Sequence, residues 1–359
     1  TPACLWEQLQ AIRSPVLNSA EHVWIKDIRE EDDITGCYLV KQKRLATTKT
    51  GKPYINLALA DRTGALEGKV WDNADQLSSL FQEGDIIEIQ GRAGSYRGQI
   101  QITVFGLNAI RGEMDPALFL ESTAGDLSVM MKSLRKILKD VKDVHLRSLN
   151  ERFLADSDFM ARFKTAPAAK HFHHNYLGGL LEHTLSVCQM VSQIADHYPQ
   201  LDKDLLLTAS FLHDIGKIRE FGYALNIDYT DEGRLIGHLV MGVTMMEEKL
   251  AELKNFPREL ALRLKHMILS HHGEYEFGSP KRPKFLEAFV LHQADDLDAK
   301  IVGLGRYMEK DQQDGAWTDF NRLFGRPFLK GRISSAEAAA GDNDEPQERQ
   351  GTLFSLGNE

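Results

Sequence analysis

The stretch from Leu205 to Ile218 constrains this chain more than any other. Leu205, Leu206, Leu207, Phe211, Leu212, Ile215 and Ile218 put apolar side chains on nearly every face, which predicts a helix enclosed by other helices. Within that segment stands His213-Asp214-Ile215-Gly216-Lys217. A buried imidazole and carboxylate need partners, since an unpaired carboxylate there is costly or gives up its charge; a bound cation keeps both in their ligating forms. Lys217 follows His213 by four residues and so lies one turn along the same face. A cation site flanked by an ammonium group predicts an anionic substrate.

The 359 residues leave room for two domains, and 42% hydrophobic with 26% charged residues is an ordinary soluble composition. No window approaches the roughly 20 apolar residues that cross a bilayer, and residues 1–10 lack the basic and apolar regions of a signal peptide. The expected location is cytoplasmic, with no membrane partner. Cys4, Cys37 and Cys188 are odd in number and widely spread, which indicates neither a disulfide framework nor a thiolate zinc site. The formal charge of −9 argues against general coating of nucleic acid, yet residues 34–111 carry 10 basic and 7 acidic side chains. The acidity lies elsewhere in the chain.

Residues 34–110 read as five short strands, near Ile34–Ala46, Tyr54–Ala60, Ala65–Trp71, Asp85–Ala93 and Gln99–Leu107, with glycine-bearing turns between them. Alternation is clearest at Ile55, Leu57, Leu59 and at Ile100, Ile102, Val104. Count and spacing suit an all-β OB-fold barrel. After Gly112 the period becomes helical: Leu127, Met130, Met131, Leu134, Ile137, Leu138 and Val141 form one amphipathic face. From about Pro167 to Tyr307 the chain reads as helical throughout. The expected organisation is an extension over 1–20, a barrel over 21–112, a helical connector over 113–165, an all-α bundle over 166–330 and a disordered polar tail over 331–359.

The helical half carries His183, the His213-Asp214 pair, His238, the His271-His272 pair and Asp295, each on a separate predicted helix or helix end. A lone core-facing histidine is usually a structural hydrogen-bonder. Several imidazoles and two carboxylates converging are another matter, and their nitrogen and oxygen donors admit manganese, iron, nickel, magnesium, cobalt or zinc.

The order His, His-Asp, His, His-His, Asp resembles the HD-domain metal phosphohydrolases. More narrowly, Gly178-Gly179-Leu180-Leu181-Glu182-His183-Thr184, the run from His213 to Lys217, Leu269-Ser270-His271-His272-Gly273 and Leu297-Asp298-Ala299-Lys300 are similar to the YhaM family. That family joins an N-terminal OB-fold to an HD domain in a manganese-dependent 3′-to-5′ exoribonuclease. The resemblance implies His183, His213, Asp214 and Asp295 around a first metal. It implies a bridge through Asp214 to a second metal at His238 and either His271 or His272. One or two divalent ions are expected, manganese first. Asp298 shares the face of Asp295 and holds a neighbouring lysine or a helix end; His266 and His292 are structural or outer candidates, His292 placed to orient Asp295. His173, His174 and Asn175 either bind substrate phosphate or decorate a loop.

Phosphodiester hydrolysis needs an activated water, neutralised oxygens and help for the leaving group, which paired metals supply. Asp214 and Lys217 are the catalytic candidates, Lys217 touching the phosphoryl oxygens or else pairing with Glu220 on the surface. On the barrel, Lys49, Lys52, Tyr54, Arg92, Tyr96 and Arg97 are the nucleic-acid candidates, with Trp71 as a stacking ring or a core residue and Lys41, Lys43 and Arg44 along the phosphates. The expected substrate is single-stranded RNA, or single-stranded DNA. The alternatives are a phosphohydrolase of small nucleotides and a non-catalytic single-strand binder; di-iron oxygen chemistry is disfavoured by Lys217 and the attached barrel. Gln350 to Phe354 resembles a QxxLF sliding-clamp peptide, and a homo-oligomer is admissible.

Overall fold

The computed structural model describes residues 22–331 except positions 49, 97, 112, 113 and 312. The N-terminal extension, Lys49, Arg97, the tail and its Gln350 to Phe354 motif therefore lie outside the described residues. The described chain divides into two compact units at Lys300 and Ile301.

Five strands, β1 (Asp33–Thr47), β2 (Pro53–Asp61), β3 (Gly64–Val70), β4 (Ile86–Tyr96) and β5 (Gln99–Ala109), close into a barrel of order β1-β2-β3-β5-β4. Closure comes from the parallel pairing of β3 with β5, Glu67 to Val70 against Gln101 to Val104. Alternation delivers the core as expected: Ile55, Leu57, Leu59, Ile87, Ile89, Ile102 and Val104 point inward and are buried. A short helix, α1 (Ala74–Ser78), joins β3 to β4.

Asp61 ties the barrel to the segment before it. Its carboxylate accepts from Ile25 N at 2.7 Å, from Thr63 N at 2.7 Å and from Thr63 Oγ1 at 2.6 Å, with His22 Nε2 at 3.2 Å. Burial alone would raise its pKa, but these hydrogen bonds hold the carboxyl below its ordinary value of 3.8.

The helical region begins with α2 (Leu127–Lys139), α3 (Val144–Ala155) and α4 (Ser157–Thr165), which start at the side-chain caps Asp126, Asp143 and Asp156. It continues with α5 (Gly179–His197), α6 (Lys203–Leu212), α7 (Lys217–Glu220), the strand pair β6 (Phe221–Gly222) and β7 (Asp228–Tyr229), then α8 (Asp231–Leu235), α9 (His238–Ala251), α10 (Arg258–Ser270) and α11 (Leu286–Lys310). α2 to α4 share one core with the later helices: Leu134, Leu149, Phe153 and Phe163 pack in the same cluster as Leu180, Leu206, Phe211 and Ile268. Every residue from Leu205 to Leu212 is buried, as its all-round apolar pattern requires.

The stretch from Pro167 to Tyr307 is not helical throughout. Helix α7 stops after one turn because Phe221 turns extended and Thr230 N donates to Glu220 O, closing the β6–β7 hairpin. Its loop residue Leu225 packs beside Cys37, Ile86, Leu118 and Phe119. In the second unit, Trp317 pairs with Leu329 and Lys330 Nζ meets Asp311 Oδ1 at 2.7 Å. No helix among the described residues is long and apolar enough to cross a membrane.

Asp61→Ala strips the acceptor from three backbone amides, those of Ile25, Thr63 and Gly64, and from a hydroxyl at once. It is expected to destabilise the barrel by about 3 kcal/mol, read as an earlier unfolding transition in urea. Since the folded carboxyl sits below 3.8, its contribution is complete above that pH and fades as acid brings the solution through the lower folded value; the variant should lose that part of the acid dependence.

Candidate metal centre

Every imidazole of the centre is aimed by its own Nδ1. His213 ends α6 and donates Nδ1 back to Ser210 O at 2.7 Å; His271 ends α10 and does the same to Ile268 O at 2.8 Å. Both use carbonyls that a helix C-terminus leaves without an intrahelical partner. His183, on α5, gives Nδ1 to Asp298 Oδ2 at 2.7 Å. His238, at the start of α9, gives Nδ1 to Glu220 Oε1 at 2.9 Å, and His272 gives Nδ1 to Phe277 O at 3.0 Å.

With each Nδ1 set against an acceptor, the network assigns the lone pair of each ring to Nε2. These Nε2 atoms converge. His183 and His213 bring theirs to 3.2 Å of each other, and so do His238 and His272. Two facing lone pairs repel unless a proton or a cation lies between them. His271 Nε2 and Asp214 Oδ1 are buried with no hydrogen-bond partner among the described residues.

The donors form two groups: His183, His213, Asp214 and Asp295, and His238, His271 and His272. Asp214 joins them. Its Oδ2 lies 3.4 Å from His213 Nε2 and 3.6 Å from His183 Nε2, while its Oδ1 lies 3.4 Å from His271 Nε2 and 3.6 Å from His238 Nε2. Nitrogen and carboxylate donors with no thiolate, some of them orphaned, fit one divalent cation in each group with Asp214 between. Gly216 permits this spacing, because a Cβ there would stand 2.0 Å from His238 O.

The electrostatics agree with that donor set. Burial would raise Asp214, yet Lys217 and His213 hold it well below the usual carboxylate range. Burial likewise opposes ionisation of Asp295, but His183 and the other imidazoles hold it low. His272 is pushed down to about 3 by burial, with His271 and His238 adding to the shift. His183 is the exception: burial lowers it, but hydrogen bonds to Asp295 and Asp298 raise it to about 9. With no cation bound, its Nε2 holds a proton 3.1 Å from Asp295 Oδ1.

Lys217 is not a surface lysine paired with Glu220. It is buried, with Nζ 2.6 Å from Asp214 Oδ2, while Glu220 serves His238. Asp298 does not hold a lysine or a helix end: its carboxylate receives His183 Nδ1, His174 Nε2 at 3.0 Å and Ser186 Oγ, and Lys300 pairs with Asp296 instead. His292 does not orient Asp295; its Nδ1 donates to His271 O at 2.7 Å. His266 stands apart and accepts from Lys284 N. His174 is buried between Asp298 and Tyr176, and Asn175 beside it is half-buried. His173 lies with its ring 5.8 Å from that of His183, its Nδ1 buried and without a hydrogen-bond partner among the described residues. Both His271 and His272 bring a ring nitrogen into the second group.

Ser186 escaped the sequence reading, although it follows His183 by three residues, one helical turn along the same side; Glu220 entered it only as a surface partner for Lys217, not as the acceptor for His238.

On the barrel, Trp71 is outside the core and stacks on Tyr54 with ring centroids 4.8 Å apart. Tyr96 is exposed as well. A cleft of about 690 Å³ runs over the outer face of β1 to β3, past Lys41, Arg44, Asn56 and Glu67. Lys43 is committed to structure, its Nζ donating to Ser78 O at 2.9 Å, and Arg92 pairs with Glu31 and Asp33. Lys52 pairs with the exposed Asp72.

A helical site of this kind joined to such a barrel is a defined class. The HD domain matches residues 180–300, and the OB-fold nucleic acid binding domain matches residues 24–110. The 3′-5′ exoribonuclease YhaM of Bacillus velezensis is 32% identical over 315 residues, covering 86% of this chain and 98% of that protein. The one from Bacillus subtilis matches to the same extent, and that from Oceanobacillus iheyensis is 34% identical over 319 residues, covering 87% and 98%. The chain belongs to the YhaM family.

Asp298→Asn keeps the shape but weakens the acceptor that aims His183, so affinity for the first divalent ion should fall roughly 10- to 100-fold in titrations of metal content. Cation binding must displace the His183 Nε2 proton at any pH below about 9. Metal uptake in weak buffer is therefore expected to release protons, and affinity should rise with pH until that value is passed.

Proposed function

We propose that this protein is a divalent-metal-dependent exonuclease that shortens single-stranded RNA, and single-stranded DNA, from the 3′ end to 5′-mononucleotides, with manganese as its working ion. The observation that carries the reading is the pair of imidazole groups sharing Asp214, with one carboxylate oxygen toward each. The relatives named as 3′-5′ exoribonucleases match along almost their whole length, barrel included. When bound, the ions lower the proton affinity of water and neutralise phosphoryl oxygens.

The chain's own groups do the rest. His183, His213, Asp214 and Asp295 would hold one ion, and His238, His271 and His272 would hold the other. Lys217, pinned to Asp214 Oδ2, places a fixed positive charge at the floor of the site, where burial strengthens its pull on a phosphate. His173 stands beside the first group; burial pushes it down to about 3, with Lys217 and His183 adding, which keeps the ring neutral in the free protein.

The barrel supplies a route. Tyr54 and Trp71 form a stacked platform that any base can extend, and Lys41 lines the cleft over β1 to β3. Lys41 also lines a second cleft of about 290 Å³, which reaches Lys170 and Asn226 in the helical region. A strand following both clefts passes from the barrel face toward the segment that carries His173. Base-independent contacts of this kind suit an enzyme that degrades any sequence.

With manganese and a 5′-labelled single-stranded RNA, the expected product is a ladder receding from the 3′ end, with 5′-mononucleotides released. Chelation should abolish it, and Asp214→Asn should lower kcat by roughly two orders of magnitude or more. Trp71→Ala should raise KM about tenfold for a long strand while leaving a dinucleotide unaffected. Activity confined to mono- or dinucleotides would instead identify a small-nucleotide phosphohydrolase.

A further inference from the structure

The turn that follows the second imidazole group along the chain carries exposed aromatic residues that none of the chemistry above uses. Directly after His272 the chain makes a tight turn at Gly273, where φ is +80° and a Cβ would collide with the His292 ring at 2.2 Å. That turn leads into a single 3-10 turn, Tyr275–Phe277. The segment is built rather than loose. Phe277 O accepts from His272 Nδ1 at 3.0 Å, Phe277 N donates to Glu274 O at 3.2 Å, and Ser279 Oγ donates to Leu269 O at 3.0 Å. Arg282 pairs with Glu274 at 2.7 Å and lies 5.0 Å over the Tyr275 ring.

On this fixed turn Tyr275 is 57% and Phe277 63% exposed. Leu235 and Ile236, which precede Gly237 and His238, are exposed too, and His238 and His272 bring their Nε2 atoms within 3.2 Å. Two pairs of exposed apolar side chains therefore flank one metal-ligating pair along the chain. Large apolar groups left open beside a polar centre mark a surface meant to be covered. The hydrogen bond from His272 to Phe277 ties the aromatic turn to a member of the second donor group.

We propose that Tyr275 and Phe277 form a stacking platform for the nucleobase at the 3′ end of the strand, next to the phosphodiester being cut. This rests on the exonuclease reading. The occupant follows from chemistry: a phosphodiester held at His238 and His272 carries a sugar and base on either side, and a base is the flat apolar group that aromatic rings accept. Stacking ignores base identity, so the platform grips a terminal nucleotide of any kind. Arg282, paired with Glu274, lies over the Tyr275 ring and holds it against the turn.

The test compares two RNA oligomers of equal length with manganese, one ending in adenosine and one in an abasic ribose, using the full chain. The natural end should be preferred by the wild type roughly tenfold in kcat/KM. In Tyr275→Ala/Phe277→Ala that ratio should fall to near one. Single variants guard against misfolding: Phe277→Trp should keep the preference and Phe277→Leu should lose most of it. Equal ratios in wild type and double variant, or loss in Phe277→Trp matching that in Phe277→Leu, would overturn the platform while the exonuclease stands. Failure of the wild type to shorten either oligomer would overturn both.

Discussion

A single ionised carboxylate, fully surrounded by protein, governs this structure. Asp214 is buried between Leu212 and Ile215 of the helical core, where its charge is tolerated only because positive charge and imidazole nitrogens face it. Lys217 contributes a fixed ammonium to Oδ2, and imidazoles face both oxygens. One oxygen looks to each histidine group, so the carboxylate stands between the two sets of donors. The bare contact of Gly216 with the backbone at His238 keeps α9 close enough for that placement.

Around the carboxylate, the ring orientations come from two kinds of acceptor. His213 and His271 use carbonyls at the ends of their own helices, a purely local device repeated twice. His183 and His238 depend on Asp298 and Glu220, residues 115 and 18 positions away. The local acceptors come with the helix ends themselves, whereas the remote ones exist only when α11 packs on α5 and the start of α9 lies against Glu220. Asp298 adds His174 and Ser186 to its hydrogen bonds, which anchors the loop before α5 to the same carboxylate. That loop bends through positive φ at Phe172 and His174, conformations that survive because such contacts over-determine them.

The barrel and the helical region divide the labour of acting on a long anionic polymer. Helices bury and aim a dense set of ligands, which needs rigid elements packed on all sides. A barrel face offers rings and cations on an open surface, which suits sliding contact with a flexible strand. The β6–β7 hairpin, absent from the periodicity of the sequence, is where the two meet, through Leu225 against Phe119 and Ile86.

The sequence by itself determined the five strands and the enclosed helix at Leu205 to Leu212, because those follow from side-chain period, and it supplied the candidate ligands by residue type, while their sorting into two groups came from the family resemblance. Tertiary structure alone decided which way the rings face. Asp298 and His292 show why: both sit one helical spacing from Asp295, yet Asp298 turns to His183 on α5 and His292 to the carbonyl of His271. Lys217 shows it again, since spacing allows Glu220 as a partner and burial gives it Asp214. Spacing along one helix says which side chains share a face, but the partner across that face belongs to another element, and its identity is settled only by packing.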